Sequence, residues 1–86
     1  MEANPLSKRR EQLGLTQQEI ADRFSPRMTA QAVCAWERGI AAPSRKLVDQ
    51  IAAAYEITPD AALAARTRIK ATALRWRKQR ALAMAK

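Results

Sequence analysis

Between Ala30 and Trp36 the chain reads AQAVCAW, and one side chain in it is equipped for two-pronged hydrogen bonding. The primary amide of Gln31 carries donors and an acceptor on one short stem, while Ala30, Ala32 and Ala35 offer only methyl groups. Such an amide can pair bidentately with adenine N6 and N7, and the small residues allow close approach, with Ala30 or Ala35 touching thymine methyl groups. Other chemistry is poorly represented. The 86 residues include no histidine, one cysteine and two glycines. The commonest general base and metal ligand is therefore missing, a structural zinc site is implausible, and no glycine-rich phosphate loop can form. Neither an enzyme nor a bound metal or cofactor is expected. Cys34 has no partner for an internal disulfide and no neighbour to activate it, so it reads as a small filler.

Charge narrows the choice of partner. Residues 1–58 hold 8 Lys+Arg against 7 Asp+Glu, whereas residues 59–86 hold 8 against Asp60 alone. The net charge of +8 is thus concentrated in the last third of the chain. A block of this kind favours polyanions, with a solvated charged face as the plain alternative. Apolar runs are too short to span a bilayer and no signal-peptide core follows Met1, so a cytoplasmic protein is expected.

The elements that must position these residues are marked by local punctuation. Asn4-Pro5 is an N-cap followed by proline at the first helical position, and Gly14 closes that helix over about residues 5–13. Thr16-Gln-Gln-Glu19 is a capping box that opens a second helix bearing Ile20, Ala21 and Phe24 on one side, broken at Ser25-Pro26. Thr29 caps a third helix that ends at Gly39. Pro43-Ser44 begins a fourth, with Leu47, Val48, Ile51, Ala54 and Tyr55 at helical spacing. Thr58-Pro59-Asp60 starts a fifth, its acid where the helix dipole favours one. No stretch alternates with the period of a strand. The expected fold is all-α: a five-helix domain over residues 1–65 and a basic, alanine-rich helical tail over 66–86. The tail carries a thin stripe of Ala62, Ala65, Ile69, Ala73, Trp76 and Ala83, interrupted by Arg80. A helix with so narrow a stripe needs support from the domain, a second copy or a nucleic acid.

Two short helices joined by a brief turn inside a helical domain describe a helix-turn-helix. The segments SKRREQLGLTQQEIADRF and AVCAWERG, with the following Pro-Ser, resemble the DNA-binding domain of the phage-repressor and Cro family, often called Xre-type, over about residues 6–63. The resemblance rests on Arg10, the entry Gly14-Leu15-Thr16-Gln17, Ile20-Ala21, Val33 and Trp36-Glu37-Arg38-Gly39. It implies a salt bridge between Arg10 and Glu37, a phosphate contact by Gln17, and a dimer surface near the fifth helix at Tyr55, Ile57, Leu63 and the tail. One departure is visible: the family joins helices two and three with about three residues, and Ser25 to Thr29 makes five.

Helical spacing puts Thr29, Val33 and Trp36 on one side of the third helix and Gln31, Cys34, Ala35 and Arg38 on the other. The first side reads as core and the second as the side that enters a major groove. Arg27, Thr29, Arg38, Arg45 and Lys46 join Gln17 as phosphate candidates. The expectation is a sequence-specific regulator of transcription, most simply a homodimeric repressor on a double-stranded DNA operator, with Ile69, Ala73 and Trp76 packing the tail in support of the dimer. Two alternatives stand beside it. One is an antitoxin whose tail wraps a toxin, within a wider possibility of a protein partner such as a toxin or antirepressor. The other is a protein-interaction adaptor on the same fold. A membrane-surface role for the tail is disfavoured by its low content of aromatic and long aliphatic residues.

Overall fold

The computed structural model describes residues 4–84, with side chains through Ala81. The side chain of Ala83 and all of Lys86, both counted with the tail above, lie outside the described residues. Five α-helices follow one another: α1 (Pro5–Leu13), α2 (Gln17–Asp22), α3 (Ala30–Arg38), α4 (Val48–Tyr55) and α5 (Pro59–Met84), and no strand occurs among the described residues.

The caps act where local chemistry puts them. Asn4 Oδ1 accepts the Leu6 N–H at 2.9 Å, and Gly14 leaves α1 in the left-handed region at φ 69°. Thr16 and Glu19 form the reciprocal capping box, each side chain accepting the other residue's backbone N–H. Thr29 Oγ1 accepts the Ala32 N–H at 3.1 Å, and Gly39 closes α3 at φ 73°. Thr58 Oγ1 does the same for Ala61 at the start of α5.

Three details differ from the expected pattern. The second helix stops at Asp22, so Phe24 lies in the connection, where it is buried with its ring 5.5 Å from that of Trp36. Residues 23–29 therefore join α2 to α3, a longer link than the five residues expected. It is pinned by Met28 N–H donating to the Ala21 carbonyl at 3.1 Å and Ser25 N–H donating to Gln50 Oε1 at 2.8 Å. Thr29, grouped with Val33 and Trp36 by helical spacing, precedes the first helical turn in extended backbone and is exposed. The fourth helix is entered through a single 3₁₀ turn, Arg45–Leu47, capped by Ser44.

Leu6, Ile20, Val33, Ile51, Tyr55 and Ile69 are the largest fully enclosed side chains, one or more from each helix. Each such apolar residue contributes about 1.5–3 kcal/mol relative to exposure. The carbonyls that end α4 receive guanidinium groups from two other segments. Arg9 Nε donates to the Tyr55 carbonyl at 3.1 Å and its Nη2 to that of Glu56, while Arg23 Nη1 donates to that of Ala54 at 3.1 Å and pairs with the Glu56 carboxylate. These are the orphan acceptors that every helix end leaves, met here by cations favoured at the negative end of the dipole.

Helix α5 is 26 residues long, about 39 Å. Ala62, Ala65, Ile69 and Ala73 are buried on one face, and the small alanines let the helix lie close to α4. Arg66 Nε reaches the Pro43 carbonyl at 3.0 Å. The approach is close at Gly39, where a Cβ would stand 2.8 Å from the Thr72 methyl carbon. The expected division at 65/66 thus falls inside one continuous helix, and residues beyond it belong to the packed part. Past Ala73 no described side chain is buried, and Leu74 and Trp76 are 56% and 42% exposed.

These positions correct the expected dimer surface. Tyr55, Ile69 and Ala73 are enclosed within their own protomer and offer nothing to a second copy, because the face of α5 that carries the last two is the face laid on the domain. Ile57 is half-buried against the core, which leaves Leu63 and Trp76 as the exposed members of that group. Ile69→Ala is expected to cost about 2–5 kcal/mol by urea unfolding, as for a filled core site, whereas Leu74→Ala stays within about 0.5 kcal/mol. Equal small effects would place the edge of the packed helix before residue 69.

Candidate nucleic-acid interface

The orientation of α3 is set from its buried side. Val33 and Trp36 are enclosed by the core, and Asn4 Nδ2 donates to the Trp36 carbonyl at 3.1 Å. Glu37, one residue further, is the buried charged residue of the domain at 7% exposure. Its carboxylate is ringed by donors from three other segments. Arg10 Nε donates to Oε1 and Oε2 at 2.9 and 3.0 Å, Tyr55 Oη donates to Oε2 at 2.9 Å, and Gln17 Nε2 donates to Oε1 at 3.3 Å. Arg10 Nη1 also donates to the Leu15 carbonyl at 2.9 Å, tying the turn between α1 and α2 to the same cluster. Among the described residues, no buried side-chain nitrogen or oxygen lacks a partner. A buried carboxylate is tolerated only under such conditions.

Tyr55 is the member that sequence reasoning assigned elsewhere. Burial pushes its phenol well above the ordinary value of 10.0, and the neighbouring Glu37 charge and their hydrogen bond push it the same way against the opposing Arg10. The hydroxyl is therefore a permanent donor. The available signal was Tyr55's helical spacing with Ile51, which marks a core position needing a buried acceptor for its hydroxyl.

With that side fixed, the opposite side of α3 faces outward. On it Gln31 and Arg38 are exposed and Cys34 and Ala35 half-buried, while Ala32 packs against the core and the half-buried Ala30 lies towards the side of Val33 and Glu37. The surface is low and carries one long amide at its N-terminal end. Thr29 is exposed beside it, its hydroxyl oxygen capping the helix while the hydroxyl proton remains available as a donor. Arg38, Arg45 and Lys46 are exposed and make no ion pair among the described residues. Arg27 pairs loosely with Asp22 at 3.4 Å, both ends open to solvent, an arrangement of little energetic weight. Gln17 is half-buried, and its bond to Glu37 uses one of its two amide protons, leaving the other available.

Among the described residues no group of acidic side chains or Cys34 is arranged to hold a metal ion, and no helix is long and apolar enough to cross a membrane. The arrangement can present a hydrogen-bonding edge and cations to a polyanion.

A helix-turn-helix family model matches residues 6–62, most of the chain and nearly all of α1 to α4. No curated protein and no solved structure matches the chain.

Glu37→Ala is expected to destabilise the domain by about 3–5 kcal/mol in urea unfolding, since it strands the Arg10 charge. Arg10→Met with Glu37→Leu recovers only part, because the Tyr55 hydroxyl then lacks its acceptor, and adding Tyr55→Phe recovers more. The raised phenol has a sign of its own. Its contribution is whole below about pH 10, the unfolded value, and is lost as pH rises towards the folded one, so Tyr55→Phe flattens the alkaline fall in stability. A Glu37→Ala protein as stable as the parent would remove the cluster from its structural role.

Proposed function

For a chain that belongs to the Xre/Cro-type helix-turn-helix family, and is in kind a DNA-binding regulator of transcription, we propose the role of a sequence-specific repressor that acts as a homodimer with α3 in the major groove. The observation that carries this reading is the exposed Gln31 on the outer side of α3, opposite a core face held by Val33, Trp36 and the Glu37 cluster. Gln31 reads a base edge, with Ala30 and Ala35 allowing the helix to sit close. Gln17, Arg27, Thr29, Arg38, Arg45 and Lys46 contact phosphates and set the register without carrying sequence information.

Pairing of two copies follows from the economy of this surface, since one amide distinguishes few bases and a genome offers many competing sites. A shallow groove between the starts of α4 and α5 supports the place of contact. It is lined by Arg45, Val48, Asp49, Pro59, Asp60 and Leu63, with Leu63 exposed. Its apolar centre, Val48, Pro59 and Leu63, makes a patch that can meet its own copy across a two-fold axis. Half-sites would then stand about 34–36 Å apart.

The test is selective binding, with an operator chosen by footprinting the DNA that flanks the gene. Gln31→Ala should cost about 1–3 kcal/mol on that operator and little on mixed-sequence DNA, measured by fluorescence anisotropy. Equal losses on both would remove Gln31 as a base reader. Leu63→Asp should convert a dimer into a monomer in sedimentation, and a variant that sediments as the parent does would displace the dimer contact from this groove.

A further inference from the structure

The outer part of α5 beyond Ala73 is unaccounted for by the fold, and we propose that it is a second binding element, a rigid cationic arm that grips the phosphate backbone of duplex DNA beside the site held by α3. The inference rests on the DNA-binding reading above and extends it to a different part of the chain.

Four observations converge. First, Arg75, Arg77, Lys78 and Arg80 stand within two turns, exposed and making no ion pair among the described residues. No acidic residue follows Asp60 anywhere in the sequence. Like charges three residues apart, Arg75 with Lys78 and Arg77 with Arg80, destabilise the helix that bears them. Second, the helix dipole does not account for them. Its reach is the last turn, and the last turn of α5 carries no basic residue.

Third, the apolar side chains described there form no seam. Leu74 and Trp76 are two positions apart, and side chains at that spacing point to different sides of a helix. A dimer helix needs its apolar residues stacked three and four apart, and so does a helix lying on a membrane. Trp76 continues the face of Ala65, Ile69 and Ala73 past the edge of the domain, but its companion one turn on is Arg80, whose guanidinium lies 5.3 Å from the ring centre. The expectation that Ile69, Ala73 and Trp76 together support a dimer therefore gives way, since two of the three are used within the protomer.

Fourth, the cations point all round the helix and not along one stripe, so opposite sides of the arm can meet separate rows of phosphates. The arm spans about 16 Å over residues 74–84, the length of four to five base pairs. It leaves the domain beside the C-terminal end of α3, where Thr72 touches Gly39.

The test uses the full chain with Arg75→Gln, Arg77→Gln, Lys78→Gln and Arg80→Gln together, substitutions on exposed positions beyond the core. Circular dichroism should show at least the parent's helicity, since the like-charge repulsion is relieved, and unfolding of the core should match the parent. Binding to a mixed-sequence duplex is measured across a salt series. Neutralising the arm should lower the slope of log K against log salt by about 2–4, at about 0.9 for each phosphate the arm no longer neutralises, while sedimentation stays as in the parent and Gln31→Ala keeps its selective effect. An unchanged slope overturns the arm. So does a slope change that appears only because the variant has lost its dimer, and so does a loss confined to vesicles rich in phosphatidylserine. A parent chain that binds no duplex at all overturns the function proposed above as well, which separates the two failures.

Discussion

One carboxylate holds four helices in relation to one another. Glu37 sits on α3 one residue past the core tryptophan, where an unpaired charge would be untenable. Its partners come from α1 through Arg10, from α2 through Gln17 and from α4 through Tyr55. Each bond constrains a different element, and together they leave α3 a single rotation about its axis. That rotation hides Val33 and Trp36 and turns Gln31 outward. Isosteric apolar replacement of whole buried ion pairs is often neutral or stabilising elsewhere. What the carboxylate adds is directional: its donors must arrive at fixed distances and angles, so the helices cannot slide past one another as greasy faces can. The same cluster reaches Gln17, so a residue at the outer surface of α2 is held by the interior of the protein.

Around this centre the domain is economical. With only 86 residues, few side chains are fully enclosed, and the ends of helices carry much of the remaining order. α4 ends with Glu56 in the left-handed region at φ 53° and no glycine to ease the turn. Arg9 and Arg23 bind the carbonyls there from two sides, which gives the strained turn a reason to persist. α5 then lies on α4 by means of alanines, trading side-chain volume for closeness of backbones.

The parts of this structure that were legible in the sequence are those whose causes are local. Asn4-Pro5, Gly14, the Thr16–Glu19 pair, Thr29 and Gly39 act on backbone groups within four residues of themselves, so their neighbours in sequence are enough to read them. The resemblance to known regulators supplied the Arg10–Glu37 pair, which spans 27 residues. Neither source revealed Tyr55 as the third partner, because a tyrosine among apolar residues fits a core or an interface equally until its hydroxyl finds an acceptor 18 residues away. Arg9 and Arg23 carried no signal beyond their charge, their acceptors lying 46 and 31 residues distant. The extent of the packed helix was illegible for another reason: Trp76 prolongs the stripe of Ala65, Ile69 and Ala73 at helical spacing, and only the presence or absence of a neighbour tells the turns apart.

The meeting of Gly39 with Thr72 makes these parts one mechanical object. There is no side chain on the glycine to yield, so the threonine methyl group bears directly on the closing turn of α3. α5 crosses that point without a break, packed behind it and free beyond it. It is a single rod that passes the end of α3 at close quarters, with no flexible linker between its packed and its projecting part.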